Sequence, residues 1–188
     1  MSAVRLLVLG AVRRRARAHG YQVRTDLEAW GANEWAGVKS GSVYHALKAM
    51  TAEGLLVAHD TSPSAAGGPP RTEYEVTAAG DEAYLTLLRA ALAQRDPKLD
   101  VQAAAVGLIE DLTRAEAIDL LRRRARAMDE WRASVTADLP AGTDLDTWGP
   151  VGEVLGLWLH TADSRAEWTR RLIRRLEGGA FLMAGETP

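Results

Sequence analysis

The chain has 188 residues, a formal net charge of -2 and 47% hydrophobic residues, enough for one large domain or two small ones with modest cores. It has no cysteine, which excludes disulfides, thiol nucleophiles and Cys-based zinc or iron-sulfur sites and suits a reducing, cytoplasmic setting. No run approaches the ~18 apolar residues of a membrane span, and the apolar stretch Val4 to Val12 precedes its arginines, the reverse of a secretory signal.

Leu6, Leu7, Leu9 and Gly10 open a helical period that predicts a first helix over residues 3–18, ended by His19-Gly20. Tyr21, Val23, Leu27 and Trp30 predict a second helix, closed by Gly31. A loop through Asn33, Trp35 and Gly37 leads to Ser40-Gly41-Ser42, whose hydroxyls are natural N-caps, and Val43, Leu47, Met50 and Leu55 form the stripe of a third helix ending near Gly54. The period then changes. Leu55 to His59 reads as a strand, Asp60 to Pro70 as a loop and Thr72 to Val76 as an alternating, half-buried strand, which together make a β-hairpin. Thr77 caps a further helix with Ala83, Leu87, Leu88, Ala91 and Leu92 on its apolar face.

The sign of the charge changes at Arg95-Asp96-Pro97. Residues 1–95 carry 11 basic and 9 acidic side chains, residues 96–188 carry 12 and 16, and the division predicts two domains, 1–95 and 96–188. The second reads as helix throughout. Val101, Ala105, Leu108, Ile109 and Leu112 give one helix; Thr113 to Glu116 is a capping box for the next, through Ile118, Leu121, Ala125, Met128 and Val135. After a loop from Asp138 to Gly149, Pro150 opens a last helix, with Val151, Leu155, Trp158, Ala162, Arg165, Thr169, Leu172 and Leu176 alternating at spacings of four and three. Such a seam is too long to be covered inside a small domain, so a partner helix from a second chain is expected.

Three helices followed by a hairpin is the order of a winged helix-turn-helix. Turning Val43 and Leu47 inward turns Ser42, Tyr44, His45 and Lys48 outward, groups able to bond phosphates or base edges, with Lys39 and Ser40 at the helix start and Arg71 at the base of the wing. Catalytic constellations are not found. Gly67-Gly68-Pro69-Pro70 lacks the Lys-Ser/Thr of a phosphate loop, His160 and Asp163 make half a metal site at most, and the adjacent carboxylates Glu110-Asp111 and Asp129-Glu130 diverge on a helix. No cofactor or metal is expected. The arginine runs Arg122-Arg123-Arg124 and Arg170-Arg171 sit among carboxylates, so ion pairing is their expected role.

Four motifs in order carry a family resemblance: Gly20-Tyr21-Gln22-Val23; Lys39 through Leu47; Glu53-Gly54-Leu55-Leu56; and Arg71-Thr72-Glu73-Tyr74-Glu75-Val76-Thr77-Ala78-Ala79-Gly80. The chain resembles the PadR family of transcriptional regulators, most clearly over residues 4–92, with His45 where the family commonly has Pro. The resemblance implies a mainly α fold: an N-terminal winged helix-turn-helix of three helices, hairpin wing and linking helix, plus a C-terminal all-helical dimerisation domain. It further implies a homodimer on a two-fold symmetric double-stranded operator, acting as a repressor released by a small, often aromatic molecule, with Tyr21, Ser42, Tyr44, Lys48 and Arg71 near the DNA. Trp131, Trp148, Trp158 and Trp168 are the candidate lining of an effector pocket, since a flat indole stacks on a planar ligand. Two alternatives stay open: a winged-helix module for ligand sensing or protein contacts that binds no DNA, and an enzyme with an N-terminal winged helix, for which the remaining helices offer no strand-turn-helix cofactor site.

Overall fold

The computed structural model describes residues 2–61, 71–95, 98–137, 139 and 142–187, without the side chains of Asp60, Thr61 and Arg71. The chain forms two compact units: residues 1–91 with 97–109, and residues 92–96 with 110–188. The charge-based joint at Arg95 thus lies close to a crossing point, but packing assigns residues 97–109 to the first unit.

The first unit is built around α1 (Ala3–Arg15), in which every residue from Leu6 to Val12 is buried. A helix apolar on all sides belongs at the centre of a core. Gly10 is tightly enclosed there: a Cβ would stand 3.0 Å from Leu108 and 3.3 Å from the fully buried Tyr84. The expected helix over 3–18 ends early. Ala16 takes a positive φ of 60°, and Arg17–His19 leaves the helix as strand β1. This short strand pairs antiparallel with β3 (Arg71–Val76), which also pairs with β2 (Leu56–Thr61), so the expected two-stranded hairpin is a three-stranded sheet of order β1-β3-β2. Local helix propensity in Ala16 to Ala18 loses to the backbone hydrogen bonds that the second edge of β3 offers.

Helix α2 (Gly20–Ala29) buries Val23 and Leu27, and its start is closed by the Gln22 side chain accepting the His19 N–H at 2.8 Å. The expected loop after Gly31 contains a single helical turn, α3 (Ala32–Trp35), tied back by the Trp35 indole N–H donating to the Trp30 carbonyl at 2.9 Å. Helix α4 (Ser40–Ala52) buries Val43, Ala46, Leu47 and Met50. At the far end of the sheet the Thr77 hydroxyl donates to the Gly54 carbonyl at 2.8 Å and accepts the Gly80 N–H at 2.9 Å, which starts α5 (Ala78–Ala93) as expected. Gly80 is fixed by space, because a Cβ there would fall 2.0 Å from the Leu55 carbonyl oxygen. Helix α6 (Leu99–Gly107) completes the unit by packing on α1.

The second unit is a long helical hairpin of α7 (Arg114–Ala137) and α8 (Pro150–Glu177). The ion pairs Arg122–Glu177, Arg170–Asp129 and Arg132–Asp163 cross between the two helices and set them antiparallel. Arg122, Arg123 and Arg170 of the arginine runs are thus bound into ion pairs, as their surroundings suggested, and Asp163 serves Arg132. Leu121, Ala125 and Met128 of α7 and Ala166, Thr169, Leu172 and Leu176 of α8 form the buried seam. After α8 the chain turns back. Arg114 donates to the carbonyls of Leu176 at 2.6 Å and Ala180 at 2.9 Å and pairs with Glu186 at 2.7 Å, while Met183 is buried. No helix of the described residues is long and apolar enough to cross a membrane.

Candidate nucleic-acid interface

The exposed face of α4 is positioned by its buried one. With Val43, Leu47 and Met50 in the core, Tyr44, His45 and Lys48 stand in solvent, and Lys39 and Ser40 are exposed at the helix start. Ser42 is half-buried, and its hydroxyl is engaged locally. Its hydroxyl accepts the Lys39 N–H at 3.0 Å and donates to the Lys39 carbonyl at 2.6 Å, so it closes the first turn from the third helical position while Lys39 occupies the cap. The Ser42 hydroxyl is thus taken up in closing the start of α4.

Tyr44 is held against the start of α2: a Cβ at Gly20 would lie 2.7 Å from its ring, so glycine at this position makes room for the tyrosine. The ring remains 45% exposed. Beside it, burial and then the neighbouring Tyr44 push the Tyr74 hydroxyl pKa up. Tyr21 at the start of α2 is exposed, with its ring stacked on His19 at 6.0 Å between centroids. Tyr21, Tyr44, His45 and the two lysines thus lie on adjoining starts and faces of α2 and α4. The last candidate, Arg71, has its backbone in β3 opposite Thr61; its side chain and residues 62–70 lie outside what the structure describes.

Charge on this unit is unevenly committed. Arg5 is bound bidentately to Glu53 at 2.7 and 2.6 Å, Arg15 to Asp26 at 2.5 Å, Arg13 to Asp81 at 2.6 Å and Arg17 to Glu75 at 2.9 Å. Arg5 holds the Glu53 carboxyl below the usual carboxylate range, chiefly through the hydrogen bond. The exposed sheet face is likewise paired within itself. Glu75 sits between His59 at 2.9 Å and Arg17, its pKa lowered first by the His59 hydrogen bond and then by the Arg17 charge. Lys39 and Lys48, by contrast, have no ion-pair partner among the described residues. They are the uncommitted cations of the surface that α4 presents.

Two features escaped the sequence pattern. Strand β1 brings Arg17 and His19 to the sheet, and a three-residue alternation next to a helix carries too little signal to find it. Arg24 of α2 lines a small cleft with Lys39 and Ser40 at the start of α4, 3.7 Å from Glu28. Its position three residues after Tyr21 on the same helix was the available clue.

In the second unit, Trp131 and Trp158 share one cavity of about 260 Å³ between α7 and α8, lined also by Met128, Ala162, Arg95, Thr161 and Arg165. Arg95 lies over the Trp131 ring, 5.0 Å from its centre. The cavity lining has two guanidinium groups and no carboxylate among the described residues. Trp148, in the short turn Leu145–Trp148, and Trp168, facing outward on α8, are exposed and stand apart from it. Two of the four candidate tryptophans are brought together and two are not. Among the described residues no group of three or more His, Asp or Glu could hold a metal ion.

Residues 8–85 match the Transcriptional regulator PadR-like family. Several solved structures are similar along nearly the whole chain at low identity. Bacillus subtilis PadR in complex with operator DNA is 18% identical, covering 92% of this chain and 98% of its own, with a TM-score of 0.42. The same protein in complex with p-coumaric acid is 17% identical, covering 93% and 99%, with a TM-score of 0.37. A PadR-like transcriptional regulator from Bacillus cereus is 15% identical, covering 94% and 99%, also with a TM-score of 0.37. No curated protein matches the chain significantly. The four ordered motifs and the winged-helix order of elements fall where residues 8–85 match the PadR-like family of transcriptional regulators.

Proposed function

We propose that the chain is a homodimeric, DNA-binding transcriptional repressor that reads a two-fold symmetric operator with α4 and releases it on binding a small aromatic acid. The observation that carries the DNA reading is the uncommitted charge of Lys39 and Lys48 on the exposed face of α4, set among arginines already bound to carboxylates. Free cations placed along one helix are what phosphate and base-edge contacts require, and in a dimer each is doubled. The small net charge of the first half leaves little bulk attraction, so placement supplies the affinity.

The dimer reading rests on α8. Apart from Gly152, its buried positions begin only at Ala166; nearer its start Val151 is 67% exposed, Leu157 63% and Trp158 57%, an apolar strip that a second copy of the same helix would cover. The effector reading rests on the cavity between α7 and α8, whose two indoles suit a planar ring and whose two guanidinium groups suit a carboxylate. The reading gives the chain no catalytic role.

Selection of bound fragments from the source genome, followed by mobility shifts at several salt concentrations, tests the function. A specific fragment, a steep loss of affinity with salt and release by p-coumaric acid or a related aromatic carboxylate are expected. Wild-type protein that selects no fragment points to the module without DNA binding.

A further inference from the structure

Helix α5 runs without interruption from the winged helix into the second unit, and the residues that immediately follow it are anchored on α7 at two consecutive positions. Gln94 is the first. Arg124, a guanidinium only 1% exposed in the second unit, donates from Nη1 to the Gln94 carbonyl at 3.1 Å. Arg95 is the second, with its guanidinium over the face of Trp131 at 5.0 Å. The two anchors differ in kind. A buried charge-assisted hydrogen bond to backbone is hard to break, whereas a cation over a ring at a cavity edge is a weak contact that a competing group can take. Trp131 and Arg95 are also both walls of the cavity that holds Trp158 and Arg165.

We propose that the Arg95–Trp131 contact is the coupling element by which occupancy of this cavity reaches α5, with Arg124–Gln94 as the fixed pivot beside it. The inference rests on the effector reading given above. A planar anion entering the cavity needs the two things this contact uses: the open face of an indole and a guanidinium partner. A ring stacked on Trp131 displaces Arg95, and a carboxylate draws the Arg95 guanidinium away from the ring. Either event releases the second anchor while Gln94 stays held, so the end of α5 gains freedom about a fixed point. No contact between the two units is required, because the signal passes along continuous main chain. Arg95 is in this sense a positioning residue, acting on DNA binding through α5.

The test uses the whole 188-residue chain and five variants. Arg95→Ala and Trp131→Leu remove the contact; Arg95→Lys and Trp131→Phe retain a cation and a ring. Hydrogen exchange on the free protein is read first, because it needs neither DNA nor ligand. Exchange is expected to rise over residues 86–95 in Arg95→Ala and Trp131→Leu, to stay near wild type in the two conservative variants, and to rise over the same residues when p-coumarate is added to the wild type. Operator affinity is expected to fall about tenfold in Arg95→Ala, the scale of an ordinary allosteric coupling, and p-coumarate is expected to lower it no further. Lys48→Ala is the comparison: it weakens DNA binding yet keeps the wild-type response to the acid. Wild-type exchange over residues 86–95 in Arg95→Ala overturns the coupling. So does an Arg95→Ala protein that binds operator and releases it with p-coumarate as the wild type does. If the wild type binds no DNA but exchange over α5 still follows the Arg95–Trp131 contact, the repressor reading fails and the coupling stands.

Discussion

The two units differ in the kind of group they leave without a partner. In the first, apolar surface is gathered into a central helix buried on all sides, and what remains uncommitted is charge: Lys39 and Lys48 on α4, among arginines that already have carboxylate partners. In the second, Arg122, Arg132 and Arg170 are paired with carboxylates across α7 and α8, and the uncovered surface includes apolar groups: the strip of Val151, Leu157 and Trp158 and the cavity lined by Trp131. Charge or apolar content summed over the whole chain hides both. Groups that lack partners within their own unit are the candidates for contact with another molecule, and the kind of group left over indicates the kind of partner to test.

The sharpest way to break this comparison is to charge the apolar strip. Leu157→Asp is expected to yield a monomer by light scattering at micromolar concentration and to weaken operator binding about a hundredfold or more, the usual value of tethering two half-site readers together. A Leu157→Asp protein that stays dimeric moves the interface elsewhere. Next in size is the loss of a free cation. Lys48→Ala, present twice in a dimer, is expected to lower the slope of log affinity against log salt by about two, with weaker binding to all fragments alike. Mobility shifts across a salt series decide this, and an unchanged slope removes Lys48 from the phosphate contacts. Arg71→Ala belongs to the same series as the corresponding change at the base of the wing.

Gly80→Ala acts on stability. The added methyl would sit 2.0 Å from the Leu55 carbonyl oxygen, which is backbone and cannot swing aside. A loss of about 2 to 3 kcal/mol is expected from the forced separation of α5 from the β2 entry, read as a lower denaturant midpoint with the dimer retained. Wild-type stability in this variant would show that the α5 start shifts without cost.

How much of this was legible in the sequence depends on the range of the interaction that decides each feature. Helices α2 and α4 follow from apolar spacing and residues at their own ends, so Val23, Leu27, Val43 and Leu47 point inward as the pattern says. Thr77 was legible as a cap for the same reason. Strand β1 was not, because Arg17 to His19 becomes a strand only by pairing with residues more than fifty positions away. Ser42 shows a subtler limit. A hydroxyl in the first helical turn is equally suited to face a phosphate or to close its own turn, and only the bond to Lys39 distinguishes them. Trp131 and Trp158 lie on different helices, and no spacing along the chain reveals that the antiparallel hairpin brings them to one cavity while leaving Trp148 and Trp168 outside it.

The smallest effect expected is also the one with a defined pH signature. Arg5 of α1 grips Glu53, the residue after the end of α4, with Nη1 and Nη2 of its guanidinium, and the hydrogen bond lowers the Glu53 pKa in the folded chain. A carboxylate depressed by folding stabilises the protein while it is ionised in both states; the contribution is present above its unfolded pKa and disappears as pH falls through the folded value. Both side chains are partly exposed to solvent, so screening keeps the effect modest and salt-sensitive. Glu53→Gln is therefore expected to be slightly less stable than wild type at pH 7, with the difference shrinking below about pH 4.3, the ordinary glutamate value, and closing in stronger acid. Denaturant midpoints of both proteins across that range decide it. A gap that persists undiminished in strong acid would show that Glu53 contributes by packing at the end of α4 rather than by its charge.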